Sequence, residues 1–123
     1  MNSLTINLPI PDAKLRSNAR VHWAIRSKLT KLHRTRAMLA ARTVLGKEPP
    51  PRWGKASLRT EWFFPTRRHL DPDNAIGSLK AYIDGLADVG IVANDRGLWP
   101  ERPVMHTDKV CPRVVLTVVP EEK

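Results

Sequence analysis

The placement of proline constrains this chain more than any other feature. All eleven prolines lie outside the stretch from Trp23 to Leu45, which also lacks glycine and stops at Gly46. Proline removes a backbone donor and fixes φ, which bars it from helix interiors and central strands. The one long unbroken stretch therefore predicts a helix over Trp23–Leu45, with short elements and turns elsewhere. At about 100° per residue, Ile25, Leu29, Leu32, Leu39 and Ala40 share one stripe, the expected core-facing side. Lys28, Lys31, Arg34 and Arg42 fall on another face. Arg36 interrupts the stripe, where it either snorkels or pairs with a carboxylate or phosphate.

The remaining segments are read from their period and breakers. Leu4–Leu8 alternates apolar and polar and stops at Pro9, a short strand. Residues 13–22, with Lys14, Arg16, Asn18 and Arg20, are polar and aperiodic, a loop that either contacts phosphate or is simply solvated. Gly46 to Gly54 is a breaker-rich connector, too short for a domain linker. Ala56–Phe64 reads as a strand ending at Pro65. Leu98–His106 carries two prolines, so it is extended or an edge strand. Arg113–Val119 is the clearest strand, and it completes a hairpin-like end to the chain. The expectation is α/β: a single compact domain over residues 1–123, a small mixed sheet packed with two main helices.

Charge narrows the partner. The 21 Lys and Arg against 12 Asp and Glu give +9 at neutral pH. The excess is uneven. From Ala13 to Arg68 there are 15 basic residues and only Glu48 and Glu61 as acids, whereas His69–Lys123 is net acidic. A basic front half that ends where aspartates begin points to nucleic acid. No apolar run is long enough to span a bilayer and no amphipathic anchor is evident, so no membrane association is expected. One cysteine, Cys111, and four scattered histidines give neither a disulfide nor a zinc spacing. The N-terminus has no signal-peptide pattern, and a reducing, cytoplasmic location is expected.

Five of the seven aspartates (Asp71, Asp73, Asp84, Asp88, Asp95) crowd into 25 residues of this basic chain. Asp71-Pro72 is a helix start, with Asp71 as N-cap and Pro72 at the first helical position. The helix is expected to run to about Asp88, with Ile76, Leu79, Ile83 and Leu86 inward. Asp73, Lys80, Asp84 and Asp88 share the opposite side, within about 80° of one another. Lys80 stands two turns above Asp73, roughly 10 Å along the axis, and helix side chains lean toward the N-terminus. Its ammonium is expected near the carboxylates, or else in a surface pair with Asp84. Gly90 ends the helix, Ile91-Val92 is a buried return, and Asn94-Asp95-Arg96-Gly97 is turn chemistry. Asp84 and Asp88 lie far along the axis, solvated or paired. Asp71, Asp73 and Asp95 then supply hard oxygen ligands for Mg²⁺, with Lys80 offsetting charge on a phosphate.

The Leu-Pro-x-Pro near the N-terminus, Arg67-Arg68 before Asp71-Pro-Asp73-Asn74, Lys80-x3-Asp84-Gly-Leu86, and Asn94-Asp95 resemble the RusA family of Holliday-junction resolvases. The likeness covers most of the chain and is most specific from Arg67 to Asp95. It implies a homodimeric, Mg²⁺-dependent endodeoxyribonuclease, with Mn²⁺ as a substitute, that nicks opposing strands of a four-way junction in recombination and repair. It implies catalytic Asp71, Asp73, Lys80 and Asp95, with the three aspartates as metal ligands. Lys80 follows the second motif aspartate by seven residues where the family has four. Asn94 replaces the first acid of the downstream pair. The expected DNA-binding residues, drawn from the basic front half, are Arg16, Asn18, Arg20, Lys28, Lys31, Arg34, Arg67 and Arg68. Two alternatives stand beside this one: a flap or branched-DNA nuclease of the same fold, and a non-catalytic nucleic-acid-binding module whose aspartates are only caps and turns.

Overall fold

Alternation of apolar and polar side chains generates the strands, and each buries one face. The structure, a computed structural model, describes residues 2–67 and 70–121. In chain order its elements are β1 (Leu4–Leu8), α1 (Trp23–Leu45), β2 (Ala56–Phe64), α2 (Pro72–Ser78), α3 (Lys80–Val89), β3 (Leu98–Pro100), β4 (Val104–Thr107) and β5 (Arg113–Pro120). The result is a mixed α/β fold: a five-stranded sheet with α1 and α3 as its two main helices.

The sheet is ordered β1-β5-β2-β3, with β4 also on β2. β5 runs antiparallel to both β1 and β2, with Leu4 opposite Val118 and Thr60 opposite Leu116. β3 and β4 pair parallel to successive halves of β2, at Ala56–Leu58 and Glu61–Phe64. The hairpin-like end expected from the sequence is therefore absent: β2 separates β4 from β5. Pro100 and Pro103 break this outer strand in two, and the Glu101 amide bridges the gap by donating to the Leu58 carbonyl at 2.8 Å. Both prolines sit on the edge, as their missing donors require.

One sheet face, built from Leu4, Ile6, Leu8, Leu58, Trp62, Phe64, Val114, Leu116 and Val118, is buried in a single core with the helices. Trp62 is fully buried, and its indole N–H donates to Thr60 Oγ1 at 3.0 Å. That bond satisfies the one polar atom a buried tryptophan brings inside.

α1 ends where the glycine- and proline-free stretch does and begins inside it, at Trp23. His22 Nδ1 caps it by accepting from the Ala24 amide, and Gly46 at φ 60° ends it. Its buried face, however, is His33, Ala37, Ala41 and Leu45. The expected stripe is only partly inward: Ala40 packs against the core and Leu29 is half-buried, whereas Ile25 47%, Leu32 46% and Leu39 63% are exposed. Close helix packing is the reason. A Cβ added to Gly85 of α3 would lie 2.4 Å from the Arg34 carbonyl oxygen and 2.9 Å from Ala37 Cβ. At that crossing the contact face of α1 admits alanine, and its buried leucine, Leu45, comes two turns later.

His33 is the polar member of the buried face. The Asp12 amide donates to its Nε2 at 3.1 Å, so Nδ1 carries the proton and donates to the Leu29 carbonyl at 2.8 Å. Its ring stacks on Tyr82 of α3, and Tyr82 Oη donates to the Pro9 carbonyl at 2.6 Å. Burial holds the His33 pKa below its ordinary value. The neutral ring ties α1 to the turn after β1.

The helix expected from Pro72 to Asp88 is two helices. Leu79, at φ −83° and ψ −10°, separates α2 from α3, and its amide bonds the Ile76 carbonyl in a tightened 3₁₀ turn. Two local features favour the break. Gly77 has little helical preference, and the Ser78 hydroxyl donates back to the Ala75 carbonyl at 2.7 Å, a bond that competes with the helix ladder. Leu79 is fully buried at the joint, so the core fixes the change of direction.

The Gly85 approach is tested by adding one methyl. Gly85→Ala is expected to cost about 1–3 kcal/mol in urea unfolding, despite alanine's higher helix propensity, because backbone cannot yield. Gly54→Ala, where an added Cβ meets nothing within 4 Å, is expected to leave stability unchanged. Equal stability of the two variants contradicts the close packing.

Candidate active site

The acidic segment is positioned from both ends. At the start of α2, Asp71 Oδ1 accepts from the Asp73 amide at 3.2 Å, with Pro72 in the first helical turn. Asp71 is thus the N-cap its sequence predicts, and Asp73 lies in the first turn, where a carboxylate suits the helix dipole. Both are exposed. The loop after the 3₁₀ turn Ala13–Leu15 is fastened to this start. Ser17 Oγ donates to the Asp73 carbonyl at 3.3 Å, and the Asn18 amide donates to Asn74 Oδ1 at 3.1 Å. Gly77 makes the approach possible, since a Cβ there would fall 1.9 Å from Ser17 Oγ. Arg26 of α1 holds the far side of the loop by donating to the carbonyls of Arg16 and Ala19. The gap in the side-chain wall at Gly77 is therefore a seat for Ser17.

The break at Leu79 makes Lys80 the first residue of α3. Its ammonium donates to Asp84 Oδ1 at 3.0 Å, one turn along, and to Asp95 Oδ2 at 2.7 Å. Asp95 comes from the return turn, where Asn94 Oδ1 accepts from the Arg96 amide at 3.0 Å and caps a 3₁₀ turn, Asp95–Gly97. Gly97 lets this turn lie against Gly54, whose carbonyl oxygen would be 2.1 Å from an added Cβ. Of the expected convergence of Lys80 with Asp71, Asp73 and Asp95, the contact with Asp95 forms, and the surface pair with Asp84, given as the alternative, forms beside it. No ion pair joins Lys80 to Asp71 or Asp73 among the described residues.

The electrostatics follow from these contacts. The hydrogen bond from Lys80 holds the Asp95 carboxyl below its ordinary pKa, and Asp95 followed by Asp84 raise that of Lys80. Lys80 and Asp95 are both charged at neutral pH. One turn further along α3, Asp88 meets Arg34 of α1 in a two-point pair, Nε with Oδ2 and Nη2 with Oδ1 at 2.7 Å. That pair lowers the Asp88 pKa and raises that of Arg34. Fork-to-carboxylate geometry of this kind is the more directional form of ion pair.

These side chains wall a cleft of about 370 Å³ lined by Arg34, Lys80, Asp84, Ala87, Asp88, Asn94 and Asp95. Lys80 also borders two neighbouring hollows. One, of about 240 Å³, runs past Ser17, Arg26 and Gly77, and the other, of about 500 Å³, runs past Ile76, Ile83, Arg96 and Leu98. The lysine therefore stands at the junction of the loop, α2, α3 and the return turn.

The carboxylates expected to hold a divalent metal are not gathered. Among the described residues, no three of His, Cys, Asp and Glu form a group that could hold a metal ion. Asp71 is occupied as a cap and Asp95 by the ammonium of Lys80. In this arrangement Lys80 takes the place between Asp84 and Asp95 that a cation would take, and the donor set does not fit Mg²⁺ or Mn²⁺.

The expected DNA contacts fare unevenly. Lys28, Lys31, Arg20 and Arg67 are exposed, and Arg16 is half-buried. Arg34 is bound to Asp88, and the Asn18 backbone to Asn74. Arg68 lies outside the described residues. Sequence reasoning missed Arg26 and Ser17 as positioning residues, and set Asp84 and Asp88 aside although both line the cleft. The four-residue spacing of Lys80 and Asp84 was a usable signal; the Arg34–Asp88 pair crosses 54 residues and left none.

No protein-family model matches the chain. It is similar to an uncharacterized protein of Xylella fastidiosa (strain Temecula1), 42% identical over 89 residues that cover 72% of this chain and 57% of that protein. The chain thus spans little more than half the length of that relative. No helix among the described residues is long and apolar enough to cross a membrane.

Lys80→Met tests the pairing at the cleft. It is expected to raise the Asp95 carboxyl toward the ordinary aspartate range, followed by NMR titration of the side-chain carboxyl carbon. An unmoved Asp95 titration contradicts the contact.

Proposed function

We propose that this chain is a structure-selective endodeoxyribonuclease that resolves four-way DNA junctions by paired nicks in recombination and repair. The observation that carries the proposal is the meeting of Lys80 with Asp95, 15 residues apart, at 2.7 Å in a cleft whose far wall is Arg34 of the basic helix. The motif order from Arg67 to Asp95, similar to RusA resolvases, expects this lysine and this aspartate in one site. The charge of +9, concentrated before the acidic segment, suits a polyanionic substrate.

The chain's own residues supply part of the chemistry. A phosphate entering the cleft competes with Asp84 and Asp95 for the Lys80 ammonium. Once transferred, that ammonium offsets the charge that builds on the phosphoryl oxygens. Asp95, held as an anion, is then left with a free oxygen facing the phosphate. Mg²⁺, or Mn²⁺ in its stead, activates water and polarises phosphate in this class of reaction. The carboxylates as placed do not fit such an ion. Lys28, Lys31, Arg20 and Arg67 are the exposed cations available to the DNA backbone, so affinity falls steeply with salt. Twofold symmetry in a junction favours a homodimer with two sites on related strands. Action is in the cytoplasm, on nucleoid DNA.

A second reading has a specific observation in its favour. The Lys80, Asp84 and Asp95 network closes on itself and no three acids gather among the described residues, which suits a basic nucleic-acid-binding module without catalysis.

Cleavage of a synthetic four-way junction, a flap and a linear duplex at matched salt in Mg²⁺ separates these readings. The wild type is expected to nick the junction in symmetric pairs. Asp95→Asn is expected to lose at least about a hundredfold in rate while retaining junction binding, since removing a carboxylate costs no attraction for phosphate. Preference for the flap assigns the branched-DNA alternative. Binding without cleavage in any divalent metal assigns the module.

A further inference from the structure

The outward row of α1 is used by neither the core nor the cleft. Ile25, Leu32 and Leu39 are 47%, 46% and 63% exposed, and they recur every seven residues. That spacing is the seam of a helix that packs against another helix, and the three span about 21 Å of axis. Scattered surface leucines need no explanation, whereas an apolar row of this length on one helix marks an interaction surface. One border of the row carries Lys28, Lys31 and Arg42, all exposed, and Arg36 interrupts it, also exposed. No acid occurs anywhere between Ala13 and Lys47.

We propose that this face of α1 docks an amphipathic helix of a partner protein, with an apolar seam and acidic flanks. Charge selects that occupant. A second copy packed antiparallel about Leu32 would set Lys28 against Arg36 of the other helix, like charge on like charge, with no acid on either seam to relieve it. Duplex DNA offers phosphates to the lysines but nothing to cover three large aliphatic side chains. An acidic amphipathic helix answers both features: its apolar side chains cover Ile25, Leu32 and Leu39, and its carboxylates meet Lys28, Lys31 and Arg36. The long aliphatic stems of those cations extend the apolar contact.

The proposal shares Lys28 and Lys31 with the DNA contacts proposed above but does not rest on the cleft, because Ile25, Leu32 and Leu39 line neither the cleft nor the loop that holds Asp73. The test uses two labelled synthetic helices of about 21 residues, long enough to cover the stripe. They are identical in their leucine seam and carry glutamate or lysine on the flanks. Fluorescence anisotropy with the full chain is expected to give affinity for the glutamate helix at least about tenfold above the lysine helix, weakening with salt. Leu32→Ser/Leu39→Ser is expected to weaken glutamate-helix binding at least about tenfold. Lys28→Gln/Lys31→Gln is expected to flatten its salt dependence. All these positions are exposed, and far-ultraviolet circular dichroism checks that each variant is folded.

Equal binding of both helices, no binding of either, or full binding by the serine variant overturns the proposal. Two other outcomes overturn it by assigning the face elsewhere. One is a sedimenting dimer that the serine variant loses, which gives the face to a second copy. The other is flotation with phosphatidylserine vesicles that the same variant loses, which gives it to an anionic membrane surface.

Discussion

The close passage of α3 over α1 at Gly85 determines most of what is distinctive in this molecule. With an added methyl barred by the Arg34 carbonyl, the two backbones approach closely enough that the side of α1 facing the crossing holds Ala37, Ala41 and the flat ring of His33, with Leu45 buried beyond them. Arg34 is then carried to Asp88, and their ion pair lines the cleft. Leu32 and Leu39 face outward. Packing geometry, and not the count of apolar residues, decides which side of this helix is inside.

That helix pair presents the first turn of α3 to the return turn after Ile91 and Val92, which are themselves fully buried. Lys80 and Asp95 meet because each end of the segment is anchored: Leu79 in the core on one side, and the Gly97–Gly54 contact on the other. The lysine is an internal counter-ion for two aspartates. On the proposed reading, a phosphate would remove it from that role, making it an electrostatic group aimed at the substrate and leaving the aspartates as free acceptors.

Much of this was legible in the chain. Period-two alternation gave β2 its bounds at Ala56 and Phe64, and for α1 the turn to helical composition gave the start at Trp23 and the breaker Gly46 the end at Leu45. Asp71-Pro72 announced a helix start because a cap and a proline at the first position are local physics. The Lys80–Asp84 pair follows from four-residue spacing, and the Lys80–Asp95 contact from a motif. The buried face of α1 was not legible, since a helical wheel weighs hydrophobicity while the Gly85 contact selects for size. The break at Leu79 depends on a seat for Ser17 and on burial of Leu79, both tertiary. The placement of β4 beside β2, away from β5, depends on which edge remained open. The gathering of Asp71 and Asp73 with Asp95 was expected from sequence order, and the structure instead keeps the first two at the cap.

The central claim is that the Lys80 cleft acts on a DNA phosphodiester. Single-turnover cleavage of a fixed four-way junction by the wild type and by Lys80→Ala, in Mg²⁺ with enzyme saturating, tests it most directly. The account predicts paired nicks by the wild type and a rate lower by roughly 10²–10³ for the variant, with junction binding intact. An equal rate in Lys80→Ala contradicts it.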